Sequence, residues 1–430
     1  MAEKPKSIWR SNLGVLSITS GIWMIGGNMT GPFWGLYVLY LGGTPFHIGL
    51  ISAVSAILSI PTSLIGGHLA DIISRKKLVY GLQLAIALNG LIYILAPNWE
   101  WLLIARSIES IISGLRNPGF SAFLADSTKP ERRTMDYALW NAVPPIFGLA
   151  SPYLIGVLMD RYGILPAQRL AYVVLMLVAT VTALIRYRYL EDTTRVEGRP
   201  RLSLNSLVRG TLSELGETIR SLPRRVRILI ILGGLYQFAV SMAAIFAVTY
   251  AVEDVIHVAS SDWGLVTTAS TIIVIVSSVP LALLTNRQGK RNLMIASLLV
   301  TPLAVLGFTY SAGLTQVLLF YSIITLLGNL GGIASQALFT DYFPVEQRGR
   351  INAFMSVIGS TQNFSFMMMG GGILGSLGNI VGGALYGQVS YSAPFIASAL
   401  IIALTALLSL VYLRETGKPK LENARTLNIN

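Results

Sequence analysis

A charged turn between two long apolar runs constrains this chain more than any other feature. Gly66-Gly67-His68-Leu69-Ala70-Asp71-Ile72-Ile73-Ser74-Arg75-Lys76-Lys77-Leu78 separates the runs Ile48 to Leu69 and Leu78 to Ala96. Roughly twenty apolar residues in a helix cross the hydrocarbon of a bilayer, so the turn joins two membrane helices. A second copy follows half a chain later. An offset of 215 in a chain of 430 residues lands on Leu284-Thr285-Asn286-Arg287-Gln288-Gly289-Lys290-Arg291-Asn292-Leu293. The same offset pairs Gly49-Leu50 with Gly264-Leu265, Ser55 with Ser270, Ser63 with Ser278 and Asp126 with Asp341. Apolar helices aligned by chance agree at Ile and Leu but rarely at Gly, Ser and Asp together, so the chain is a tandem duplication.

Only 12% of the residues are charged, against roughly 25% in a soluble domain, so most of the surface faces lipid. The net charge of +12 does not indicate nucleic acid, because of where it sits. Apart from Arg161, Arg169, Arg106 and Arg116, the 32 Lys and Arg fall at the N-terminus, on alternate loops and the adjoining membrane ends, and in the C-terminal tail. That bias predicts a multi-pass protein of the cell membrane with both termini in the cytoplasm. The lack of cysteine excludes disulfide and thiol chemistry. No cleavable signal is visible at the basic start Met1 to Arg10.

Gly67, Leu69, Ala70, Asp71, Arg75 and Lys76 form the pattern G-x-L-A-D-x-x-x-R-K. It resembles the loop between helices 2 and 3 of the major facilitator superfamily. The family's fuller form has a basic residue where Ile72 stands and a glycine where Ser74 stands; the second copy supplies both, as Arg287 and Gly289, while Asn286 replaces Asp71. The resemblance implies an all-α membrane protein of twelve spans in two pseudo-symmetric six-helix halves. The N-terminal bundle would cover 1–190, a cytoplasmic linker 191–227, and the C-terminal bundle and tail 228–430. It also implies a conformational latch formed by Gly67, Asp71, Arg75, Lys76 and Asp126, with Arg287, Lys290, Arg291 and Asp341 as the second-copy set. Asp71 would act between the halves, against the start of span 11 near Arg348 to Ile351.

Apolar runs place the spans at about Leu13–Tyr40, Pro45–Ala70, Lys77–Ala96, Trp101–Leu124, Met135–Met159 and Pro166–Tyr189 in the first half. Those of the second half are at about Ile228–Val252, Trp263–Leu284, Leu293–Tyr310, Val317–Leu338, Ile351 into Gly370–Gly383, and Ala393–Leu413. In Glu191 to Arg227, Leu204, Leu207, Val208, Leu212, Leu215, Ile219 and Leu222 recur at helical spacing among eight arginines. This predicts an amphipathic helix on the anionic inner membrane surface.

Span 4 carries the chemistry. Arg106, Glu109, Ser113, Arg116 and Asn117 fall within an arc of about 100° of one helix face. Charges inside the membrane face protein or water, and mark a pathway by default. A bland alternative is mutual neutralisation of Arg106 and Glu109, three residues apart. The stretch Leu102 to Ser113 resembles the family's helix 4 motif, whose arginine is associated with proton transfer, with Ser110 in place of its glycine. Glu109 and Arg106 are thus the expected proton-coupling pair. Ser151-Pro152-Tyr153-Leu154-Ile155-Gly156 keeps only Pro152 and Gly156 of the helix 5 motif of proton-driven exporters; a kink or close packing explains these equally well. The second-half counterparts of Arg106, Glu109 and Arg116 are Tyr321, Ile324 and Gly331. Ionisable chemistry therefore belongs to the first half. The expected substrate cavity is lined by Asn28, Ser113, Arg116, Asn117, Asn141, Tyr236, Gln237, Tyr321 and Gln362.

The chain has no phosphate-binding loop of the G-x-x-x-x-G-K-[ST] type, and His47, His68 and His257 lack metal-ligand spacing. No enzyme activity, cofactor or metal is expected. The partners expected are a small-molecule substrate, protons and the bilayer, with a monomeric chain. The function expected is secondary transport by alternating access, as proton-coupled export of small amphipathic compounds. Uptake or exchange of a small organic anion or sugar, held by Arg106 and Arg116, is the alternative. A non-transporting receptor on the same scaffold is a third reading, though it would have no reason to keep charges within the membrane.

Overall fold

The computed structural model describes residues 11–128, 132–193, 224–342 and 372–413, and these are helical apart from short connections. In chain order the helices are α1 (Asn12–Thr30), α2 (Trp34–Tyr40), α3 (Pro45–Ile72), α4 (Arg75–Leu95), α5 (Trp99–Asp126), α6 (Arg133–Phe147), α7 (Ser151–Tyr162) and α8 (Ile164–Tyr189). They continue as α9 (Arg224–Ala244), α10 (Ala247–Thr249), α11 (Ser260–Gln288), α12 (Lys290–Thr309), α13 (Leu314–Tyr342), α14 (Gly372–Gln388) and α15 (Ala393–Tyr412). Among the described residues, nine helical stretches are long and apolar enough to cross a membrane. The linker's amphipathic stretch, Arg348 to Ile351 and Gln362 lie outside the described residues.

Three runs expected as single helices are broken, each for a local reason. The first is interrupted by a 3-10 turn at Gly31–Phe33, where Pro32 lacks a backbone donor. The fifth breaks after Pro144 and Pro145 at the end of α6, and Pro152 opens α7. Asn28 bridges this break by donating from Nδ2 at 3.1 Å to the Gly148 carbonyl, which also accepts from the Ser151 amide at 3.3 Å. The seventh leaves α-geometry after Ala244 and ends in a π-turn at Tyr250–Asp254, where Asp254 accepts from the Tyr386 hydroxyl at 2.5 Å.

The first copy of the charged turn lacks the family's glycine for a visible reason. Ser74 caps α4 by accepting from the Lys77 amide at 3.2 Å. In the second copy Gly289, at φ +95°, makes the corresponding turn, in a region that favours glycine.

Helices before residue 193 pack chiefly on one another, as do those after 224; the principal bridges are α3 on α14 and α7 on α11. Both bridges lie toward the end of the bundle away from Asp71 and Gln288, here called the far end. They repeat each other. A Cβ on Gly49 would meet the Asn379 carbonyl oxygen at 2.2 Å, and one on Gly383 would meet that of Pro45 at 2.8 Å. In the other bridge, a Cβ on Gly264 would meet the Pro152 carbonyl oxygen at 2.3 Å, and one on Gly156 that of Ser260 at 2.4 Å. Gly49 and Gly264 are counterparts in the duplication, as are Pro45 and Ser260. Small residues let the backbones touch, as is usual between membrane helices.

One bridge carries an extra lock. The position before α11 is Ala259, which offers no capping side chain. Asp160 of α7 supplies it across the interface, accepting from the Ser260 and Ser261 amides at 2.8 and 3.0 Å. A cap of this kind contributes about 1 kcal/mol, so Asp160→Ala should weaken the α7–α11 contact about fivefold. The labelling rate of a cysteine placed at Thr268 is the measurement, and an unchanged rate would count against the lock.

Candidate functional site

α5 runs for 28 residues and starts at a cap in which Asn98 accepts from the Trp101 amide at 3.4 Å. At 1.5 Å per residue, Glu109 lies roughly 15 Å along it. Its Oε2 accepts from Arg106 Nη1 at 3.2 Å and from the Tyr93 hydroxyl at 2.6 Å. Tyr93 is held in turn. Its carbonyl accepts from the Tyr37 hydroxyl at 2.5 Å, and its ring stacks on Tyr172 with centroids 4.4 Å apart. Trp34 lies under the Arg106 guanidinium at 5.4 Å. The ion pair is not sealed: the Arg106 and Glu109 side chains are 37% and 22% exposed.

What they face is a cavity of about 380 Å³. Ser52, Ser55 and Ser59 line it from one face of α3; Arg106, Glu109, Ser110, Ser113 and Asn117 from α5; and Asn379 from α14. Two of the serines spend their protons on their own helix. Ser55 donates to the Ile51 carbonyl at 2.8 Å and Ser59 to that of Ala56 at 2.7 Å. Such hydroxyls present only acceptor lone pairs to the cavity. Together with the Glu109 carboxylate, they offer acceptors to a ligand, beside the donors that Arg106 and Asn117 bring from α5.

A second cavity, of about 300 Å³, is lined by Asn28 and Pro32 of the first run, Ile245 and Val248 of the seventh, Trp263 and Thr267 of α11, and Tyr321 of α13. Trp263 and Tyr321 meet edge-on at 5.1 Å. This wall is aromatic and apolar, suited to a ring system.

Arg116 does not join the Glu109 pair. It turns to α4 and donates to Gln83 Oε1 at 2.5 Å, and the same oxygen accepts from Arg186 of α8 at 3.2 Å. Arg186 also donates to Thr19 at 3.0 Å and Ser20 at 3.2 Å, and the rings of Trp23 and Phe120 lie under Arg116 and Arg186 at 5.9 and 5.3 Å. Sequence reasoning placed Arg186 among the cations at a membrane end; it is 3% exposed. Gln83→Leu leaves the buried Arg186 and half-buried Arg116 guanidiniums without their shared acceptor and should cost about 1–3 kcal/mol. Gln83→Glu should instead raise the melting temperature. Thermal unfolding of both variants in detergent checks this.

The other expected cavity residues scatter. Asn141 is exposed on α6. Tyr236 and Gln237 are buried in α9, where Gln237 donates to Ser241 at 3.1 Å. At the charged turns, Arg75 pairs with Asp126, and their counterparts Lys290 and Asp341 pair at 2.7 Å. Lys76 lies over the Tyr187 ring at 5.8 Å. Arg291 donates to Asn292 at 3.3 Å. Asp71 and Arg287 are exposed, and a Cβ on Gly67 would meet nothing within 4 Å. Sequence reasoning missed Tyr93, Gln83, Ser52, Ser55, Ser59 and Asn379. The serine stripe alone left a signal, in its spacing along one face of α3.

The long apolar helices and the polar site enclosed among them define a multi-pass membrane transport protein. The chain belongs to the Major Facilitator Superfamily, whose model matches residues 16–360 and 229–427. It is 25% identical over 423 residues to the multidrug resistance protein MdtG of Enterobacter lignolyticus (strain SCF1), covering 95% of this chain and 94% of that one. It is 23% identical over 424 residues to the multi-drug resistance efflux pump PmrA of Streptococcus pneumoniae serotype 4, covering 96% and 98%. Among solved structures, the nucleoside transporter NupG superposes with a TM-score of 0.71 at 13% identity, covering 94% of this chain and 100% of that one.

Proposed function

We propose that this transporter exports small amphipathic cations in exchange for protons. In this reading it has twelve spans in two halves, both termini lie in the cytoplasm of the cell membrane, and the chain acts as a monomer. The observation that carries it is the Glu109 carboxylate, open to a polar cavity that the α3 serine acceptors also line, with an aromatic cavity in the same bundle. A cationic group and a proton would compete for that carboxylate, which is the linkage exchange requires. The names of the two efflux relatives point the same way. With the charged turns inside, the far end faces outward, so the α3–α14 and α7–α11 bridges close the outer side. The two ion pairs at the charged turns would brace the inner end as the halves rock, with Asp71 as a latch between them.

Uptake or exchange of a small organic anion fits less well, because Arg116, one of the two arginines that would hold it, turns to Gln83 and does not line the cavity. The test is a set of proteoliposomes with an imposed pH gradient, offered tetraphenylphosphonium or benzoate. Gradient-driven movement of the cation alone is expected. Movement of benzoate alone would overturn the reading.

A further inference from the structure

Asn379 is a buried amide with nothing to hold. Its side chain is 1% exposed, and among the described residues neither Nδ2 nor Oδ1 has a hydrogen-bond partner. An orphaned buried amide costs stability, so a fold does not gain by keeping one without a ligand. Its position is closely set, because its own carbonyl oxygen packs against the bare Cα of Gly49. From there it is among the residues that line the polar cavity, together with the α3 serines and Glu109. Every other described lining residue comes from α3 or α5, so Asn379 is the described contribution to this cavity from the helices after residue 224.

We propose that Asn379 reads the substrate: its amide binds a hydrogen-bonding group, such as a carboxamide or hydroxyl, on a molecule whose cationic end lies against Glu109. To the serine acceptors of α3 it adds a donor and an acceptor on one planar group. A substrate held at both points ties α14 to α3 and α5, so occupancy strengthens the contact at which Gly49 and Asn379 meet. The assignment rests on the cation reading above and names the group that such a cation should carry.

The experiment uses the full chain in detergent and two probes of equal charge: tetraphenylphosphonium, and the same cation with a carboxamide on one ring. The wild type is expected to bind the carboxamide about tenfold more tightly. Asn379→Leu should abolish that preference, so that the two probes bind the variant with equal affinity. It should also raise the melting temperature of the ligand-free protein, since an apolar side chain replaces an orphaned amide. Asn379→Asp keeps an acceptor and should retain part of the preference. Wild-type protein that binds both cations equally would sink the assignment to Asn379 alone, and wild-type protein that binds neither would sink the cation reading and this assignment with it. A lower melting temperature for Asn379→Leu with the preference intact would show an amide satisfied by water, which also overturns the proposal.

Discussion

Glu109→Gln should abolish proton-driven accumulation while substrate counterflow persists at a raised half-saturating concentration, because the cation loses its carboxylate but keeps its other contacts. A gradient of one pH unit stores about 1.4 kcal/mol per coupled proton, enough for roughly tenfold accumulation. In the variant that factor should fall to one. The amide keeps an oxygen for Arg106 Nη1 and the Tyr93 hydroxyl, which donate to Glu109 at 3.2 and 2.6 Å, so the site stays assembled without its titratable charge. A permanent structural ion pair makes a different prediction. Breaking a fully buried pair costs about 3–5 kcal/mol and would unfold much of the protein. The exposures of 37% and 22% put this pair between that case and a surface pair, so the stability loss should be small. Counterflow, proton-driven transport and the melting temperature, measured on one preparation, separate the two cases. Proton-driven transport at the wild-type level in Glu109→Gln would remove Glu109 from the coupling role.

Substituting valine for Gly49 and Gly264 together should hold the far end open and reduce transport to background. A Cβ at these positions would lie 2.2 and 2.3 Å from the Asn379 and Pro152 carbonyl oxygens. Ordinary C···O contacts are about 3.3–3.6 Å, so each helix pair must part by roughly 1 Å before the rest of the valine is placed. The partner atoms are helix backbone and cannot rotate away as a side chain would. Packing of α3 on α5 and of α11 on α13 does not involve these contacts, so the protein should still fold. A cysteine at Ser52, in a chain that has none of its own, should then react faster with an impermeant maleimide added outside. Each single variant should show an intermediate rate, because the bridges are counterparts. Wild-type labelling and transport in the double variant would mean that the two bridges do not seal the outer side.

Several elements of this molecule are legible in the linear chain. Apolar runs of membrane-crossing length locate the helices, because in lipid every backbone polar group must be satisfied within its own segment. The offset of 215 shows the duplication and anticipates that Arg75–Asp126 and Lys290–Asp341 are counterparts. The cost of a charge in hydrocarbon singles out Arg106 and Glu109. Their spacing of three residues brings them together on one helix without help from elsewhere.

Beyond one helix, that legibility ends. Helical periodicity gives the direction a side chain leaves its helix, but not which helix stands opposite. Arg116 shares the polar arc of Glu109, yet it meets Gln83 on α4 and, through that oxygen, Arg186 on α8. Arg186 sits at a helix end, where cations usually reach the headgroups, and only packing against α1 and α4 buries it. Asn28 is a polar residue within an apolar run until the break after Pro145 gives it a carbonyl to hold. Asn379 is one more small residue in a glycine-rich stretch until α14 meets α3 at Gly49. Segment-level solvation determines where each helix runs, and the chain by itself carries that. Which polar groups share a cavity depends on contacts between residues far apart in sequence, and only the tertiary structure decides them.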